Sequence, residues 1–192
     1  MNQFRSLFVF ILATMPLAGL AHEGAGVNHG LLHGLSHPLG GLDHLIAMIA
    51  VGLWAKQLGG RAVWLVPSAF IALMIGGAVL GLSGVAVPSV EAGIAVSVLV
   101  LGLLITGAYR MPLAICCLLV GLFAVFHGNA HGLELPASAS AIGYMIGFVM
   151  ATGILHAVGI AVGQLHDSQK FRLLNRLVGT AIALVGVYLA LA

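Results

Sequence analysis

Residues 37–45 read His37-Pro38-Leu39-Gly40-Gly41-Leu42-Asp43-His44-Leu45, and they stand at the entrance of an apolar segment, 42–58, that is long enough to enter a bilayer. Imidazoles and a carboxylate are costly at that depth unless a cation or a proton occupies them, so ionisable residues there mark a functional site. Pro38 and the Gly40-Gly41 pair bend the chain and permit close backbone approach. That suits a turn returning His37 beside the start of the helix that carries Asp43 and His44.

The surrounding composition is that of a membrane protein. Of 192 residues, 61% are hydrophobic and only 6% charged, against about 25% charged in water-soluble domains. The length allows one membrane domain and leaves no room for a soluble one. A net charge of +2 is too small to argue for nucleic acid. Nine histidines outnumber the five acids and the seven Lys and Arg, and in so apolar a chain that surplus is the main chemical signal. Cys116 and Cys117 are adjacent within an apolar run; neighbours in a helix point apart, so they read as packing residues rather than a disulfide.

Residues 1–21 carry the pattern of a secretory signal peptide: Arg5, a short apolar run from Leu7 to Met15, Pro16, and small residues up to Ala21. An uncleaved first helix is the weaker alternative, because the run is shorter than the roughly 20 residues a span needs. Cleavage would leave His22 at an exported N-terminus. Residues 22–41 form an exported His- and Gly-rich segment, expected to be irregular, with His22, Glu23, His29, His33 and His37. His29, His33 and His37 recur every fourth residue and would share a face if the segment became helical, but its glycines argue against a stable free helix.

Residues 42–192 then predict a permease-like domain of six spans, at about 42–58, 62–82, 89–108, 111–128, 139–164 and 173–192. The fold class expected is an all-α integral membrane protein with six transmembrane helices after a cleaved signal peptide. Three spans on each side of the mid-chain loop, each half with a histidine cluster, hint at an inverted repeat, although the flanking sequences do not align. With the N-terminus exported, Lys56, Arg61, Arg110, Lys170, Arg172 and Arg176 all fall in cytoplasmic loops, and the opposite loops hold no basic residue. The positive-inside rule thus agrees with the signal peptide.

This topology gathers a second cluster, Phe126-His127-Gly128-Asn129-Ala130-His131-Gly132-Leu133-Glu134, at the same outer face as the first. On a continued helix His127, His131 and Glu134 project from one side. Glu91 opens the third span on that face, as a ligand or as a carboxylate favoured by the helix dipole. Asp43 is a ligand, an orienting partner of an imidazole, or a helix cap. His156, past the middle of the fifth span, is a transit site, a proton acceptor or a helix–helix hydrogen bond, whereas His166 and Asp167 read as solvated loop residues. Mixed imidazole and carboxylate ligation without thiolate fits Ni²⁺, Co²⁺ or Zn²⁺, and the residues do not choose among them.

At these two motifs the chain resembles the HupE/UreJ family of bacterial nickel/cobalt permeases, whose patterns HPxxGxDHL and FHGxAHGxE both stand complete here. The resemblance covers the whole chain. It implies uptake of Ni²⁺, or Co²⁺, across the cytoplasmic membrane to supply metalloenzymes such as hydrogenase or urease. It also implies His37, Asp43, His44, His127, His131 and Glu134 as functional residues, with His22 as an accessory ligand. No GxxxxGK[ST] motif is present, so a secondary permease without a permanent cofactor is expected, its partners being the metal ion and the bilayer. The rival readings are a membrane-bound accessory or sensor protein that binds metal without moving it, and a histidine-box metalloenzyme. The latter's boxes face the cytoplasm, whereas these are expected to face out. The oligomeric state is left open.

Overall fold

The computed structural model describes residues 27–135, 139–164 and 169–192. Within them the chain forms seven helices and no strand: α1 (Val27–Gly40), α2 (Leu42–Leu58), α3 (Ala62–Leu82), α4 (Val90–Gly107), α5 (Leu113–Leu133), α6 (Ala141–Gln164) and α7 (Gln169–Leu191). The expected signal peptide at 1–21, His22, and the loop residues His166 and Asp167 lie outside the described residues.

Length and apolarity make this an integral membrane bundle. Helices α3 to α6 and residues Leu173–Leu191 of α7 are each long enough to cross a bilayer, with mean hydropathy from 1.7 to 2.2. At about 1.5 Å per residue, α3 spans about 31 Å, close to the roughly 30 Å hydrocarbon core. Helix α2 has 17 residues, or about 25 Å, and falls short alone. It meets α1 at a bend of 86°, and the bent pair makes a sixth span if taken as one broken element.

The His- and Gly-rich stretch corrects one expectation. It is helical over Val27–Gly40, not irregular. The glycines that would destabilise a free helix are its contact face: a methyl at Gly34 would run into the Tyr144 carbonyl oxygen, and one at Gly147 into that of Leu31. Packing on α6 therefore outweighs the low intrinsic propensity. Helix α5 also runs further than the span expected at 111–128, reaching Leu133, so the second histidine cluster is helical almost throughout.

Helix α2 is the axis of the bundle. Ala47, Met48 and the whole run from Ala50 to Ala55 are buried, and α2 packs against α1, α3, α4, α6 and α7. Its small and apolar residues on every side over this run let neighbouring helices close around it. Around it, large apolar side chains such as Trp64, Leu118, Ile142 and Leu184 point outward, as a lipid-facing surface requires. Lipid gives helices no hydrophobic reason to associate, so close backbone packing through small residues must supply the attraction. Gly128 against the Met74 carbonyl and Gly52 against the His156 carbonyl are such contacts.

The two ends of the bundle differ in chemistry. The start of α2, the end of α5 and the start of α6 share one end, which holds His37, His44, His127 and His131. Lys56, Arg61 and Arg110 lie at or beyond helix termini of the other end, where a cavity of about 300 Å³ is lined by Leu58, Arg61, Arg110 and Cys116. Cys116 and Cys117 are both free thiols.

Gly128→Ala is expected to destabilise the detergent-solubilised protein by about 1–3 kcal/mol, the usual cost of overpacking. Gly153→Ala, where an added methyl meets nothing within 4 Å, should be neutral or stabilising by about 0.5–1 kcal/mol. Thermal unfolding followed by size-exclusion chromatography checks both.

Candidate metal centre

The chain turns at Gly41, whose carbonyl accepts the Leu45 N–H at 3.0 Å and so starts α2. A side chain at Gly41 would stand 2.7 Å from Asp43 Oδ1, so the second glycine of the pair leaves room for that carboxylate. Asp43 Oδ1 accepts the His44 backbone N–H at 2.8 Å and lies 2.9 Å from His44 Nδ1. The carboxylate thus holds the ring proton on Nδ1 and leaves Nε2 with a bare lone pair. Nε2 is buried and has no hydrogen-bond partner among the described residues. This is the orienting position weighed for Asp43.

His127 is prepared in the opposite tautomer. Its Nε2 lies 2.9 Å from Ser97 Oγ, whose own proton goes to the Ile94 carbonyl at 2.6 Å. The serine oxygen therefore accepts from Nε2–H, and Nδ1 is the free atom. Nδ1 is buried with no hydrogen-bond partner among the described residues, and so are both ring nitrogens of His131. The His44 ring centroid lies 4.8 Å from that of His127 and 4.3 Å from that of His131. An unsatisfied buried nitrogen costs about 1–3 kcal/mol, and the rings of His44, His127 and His131 that carry these nitrogens pack edge-on against one another, a chemistry suited to ligating a cation.

His131 links this inner group to an outer one. Its ring lies 4.8 Å from that of His37. His37 Nε2 is 2.8 Å from Glu134 Oε2, and His131 Nδ1 is 4.0 Å from the same oxygen. One donor atom from each of His37, His131 and Glu134 lies within 4.8 Å of the others. Metal–ligand bonds of about 2.0–2.1 Å put donors about 3–4 Å apart, so slight closure would bring all three onto one ion. The side chain of Glu134 is half exposed and His127 is fully buried, so the donors run from the rim of the bundle into its core.

The structure brings together His37, His44, His127, His131 and Glu134, with Asp43 behind His44. Glu91 stands exposed in the first turn of α4, with no hydrogen bond or ion pair among the described residues. His156 is buried in the core of α6, away from the cluster, its ring 5.2 Å from that of Phe70. His33 stacks near His37 at 5.6 Å, the shared face that the spacing of four allowed.

Several residues escaped the sequence reading. Ser97 fixes the His127 tautomer. Asn129, inside the second motif, ties down the α3–α4 loop: it accepts the Val87 N–H at 2.8 Å and donates to the Val85 carbonyl at 2.8 Å. Tyr144 and Phe148 wall the site, with Phe148 4.0 Å from the His131 ring. The signal for these two was a stripe of four-residue spacing, Tyr144, Phe148, Thr152 and His156, all buried. Met145 and Met150 are off that stripe.

Comparison with known proteins gives one consistent match. The family model described as HupE / UreJ protein matches residues 9–189. The chain is 47% identical over 179 residues to "Protein HupE" of Rhizobium leguminosarum bv. viciae, covering 93% of this chain and 94% of the relative. No solved structure matches.

Asp43→Asn is expected to weaken binding of a divalent transition-metal ion by about 10–100-fold, the usual effect of losing the partner that orients an imidazole ligand. Isothermal titration of the purified protein measures this. Ser97→Ala should act in the same direction through His127.

Proposed function

Because the chain belongs to the HupE/UreJ family, we propose that it is a secondary permease for a divalent transition-metal ion, Ni²⁺ or Co²⁺, of the cytoplasmic membrane, supplying metalloenzymes such as hydrogenase or urease. The observation that supports this most is the set of buried imidazole nitrogens, at His44, His127 and His131, left without hydrogen-bond partners among the described residues inside a bundle of membrane-spanning helices. A resident structural metal would be held in a closed site; here the donors form a graded series from the half-exposed Glu134 to the fully buried His127.

In this reading Glu134 and His37 receive the hydrated ion at the exported face, and His131 passes it to His44 and His127. Glu134 and Asp43 offset its charge. His22, at the N-terminus left by signal-peptide cleavage, and Glu91 are accessory groups that raise the local cation concentration. The described basic residues sit at the other end of the bundle, which the positive-inside rule assigns to the cytoplasm. The membrane potential supplies about 2.3 kcal/mol per charge per 100 mV to an entering cation. Metal must displace any proton from the imidazoles, so uptake is expected to fall in acid. The protein acts as a carrier and not as an enzyme.

The test is uptake of trace radioactive Ni²⁺ by cells lacking other nickel importers, with wild type beside His44→Ala and His127→Ala at matched membrane levels. Uptake at least tenfold above the empty vector, lost in both variants, is the expected result. Competition by excess Co²⁺ or Zn²⁺ ranks the substrates. Wild-type protein that binds metal but gives no uptake would sink the permease and favour an accessory or sensor role.

A further inference from the structure

Beyond the imidazole cluster, three helices bring together side chains that the site above does not use. Thr152 Oγ1 on α6 lies 3.4 Å from Met48 Sδ on α2 and 3.6 Å from Met74 Sδ on α3. All three residues are 0% exposed. A threonine in a membrane helix commonly donates to the carbonyl four residues back. Thr106 and Thr180 do so, to Gly102 and Arg176. Thr152 instead faces two thioethers, which are weak acceptors.

The position of this group is as telling as its composition. Met48 is one helical turn beyond His44 on α2, and Thr152 one turn beyond Phe148 on α6. One further turn along α6 is His156, 2% exposed, with neither ring nitrogen partnered among the described residues. The Phe70 ring reaches both sides of the group, 5.7 Å from His127 and 5.2 Å from His156. Packing alone explains two buried methionines. It does not explain a hydroxyl turned onto two sulfurs between two imidazoles that each keep a bare nitrogen.

We infer that Met48, Met74 and Thr152 form a second cation station, through which an ion leaving His44 and His127 reaches His156. This rests on reading the chain as a carrier of divalent transition metals. Thioether, hydroxyl and imidazole donors suit a soft or borderline ion and exclude Mg²⁺ and Ca²⁺ as favoured cargo. The station carries no charge, so it binds weakly. That is a requirement of conduction, because an ion held as tightly below the cluster as within it would not move on.

The test uses full-length protein, in cells for uptake and purified for binding, with radioactive Ni²⁺ as the probe. Met48→Leu/Met74→Leu keeps volume and removes both sulfurs. It should cut uptake at least tenfold while equilibrium dialysis finds binding at the outer cluster within twofold of wild type. Uptake within twofold of wild type, or a loss of binding that matches the loss of uptake, would overturn the inference. Met48→His replaces a weak donor by a strong one and should raise the stoichiometry from one bound ion per chain to two while slowing uptake. A stoichiometry that stays at one also counts against the station. If the wild type binds metal but never transports it, the carrier reading fails by itself, and the second ion in Met48→His still decides whether the station can hold a cation.

Discussion

A neutral imidazole offers a cation one nitrogen, and the hydrogen bond made by the other decides which. Asp43 does this for His44 from the Nδ1 side, and Ser97 does it for His127 from the Nε2 side. The two histidines come from different helices and use opposite tautomers, yet each is left with one bare nitrogen in the core. Much of the local structure follows from that requirement. Gly41 has no side chain because the Asp43 carboxylate occupies the space. The start of α2 lies inside the bundle because His44 must meet His127 and His131.

Burying so many rings between helices works only if the backbones are otherwise very close. The glycine contacts of α1 with α6, α2 with α6 and α3 with α5 provide that closeness. They serve in lipid the purpose that apolar burial serves in water. They also fix the axial register of the helices, and with it the turn-by-turn order of Phe148, Thr152 and His156 along α6. Loss of one glycine contact therefore disturbs donors a full turn away.

The membrane class and the boundaries of α2 to α4 were legible because apolar runs of this length with so few charges have no other stable form. The gathering of histidines and carboxylates at one end of the bundle was legible because such groups at the mouth of an apolar segment need a cation or a proton. What could not be read was tertiary. The glycines of 27–40 look helix-breaking until α6 lies against them, since propensity describes a free segment and not a packed one. Ser97 is unremarkable in sequence and acquires its role only when α4 lies beside α5. Asn129 looks like part of the ligand motif, but its amide holds a loop. Thr152 stands on a readable stripe, but its methionine partners come from two other helices.

The most direct measurement is X-ray absorption at the nickel edge on purified protein loaded with one equivalent of Ni²⁺, wild type beside His131→Ala. His131 touches both the outer and the inner group, so it is the residue whose loss the spectrum should register most clearly. The account predicts multiple-scattering features of several imidazole ligands, mixed with oxygen donors, and a lower imidazole count in the variant. A spectrum of oxygen ligands alone, or one that His131→Ala leaves unchanged, would contradict the assignment of the buried imidazoles as the metal's donors.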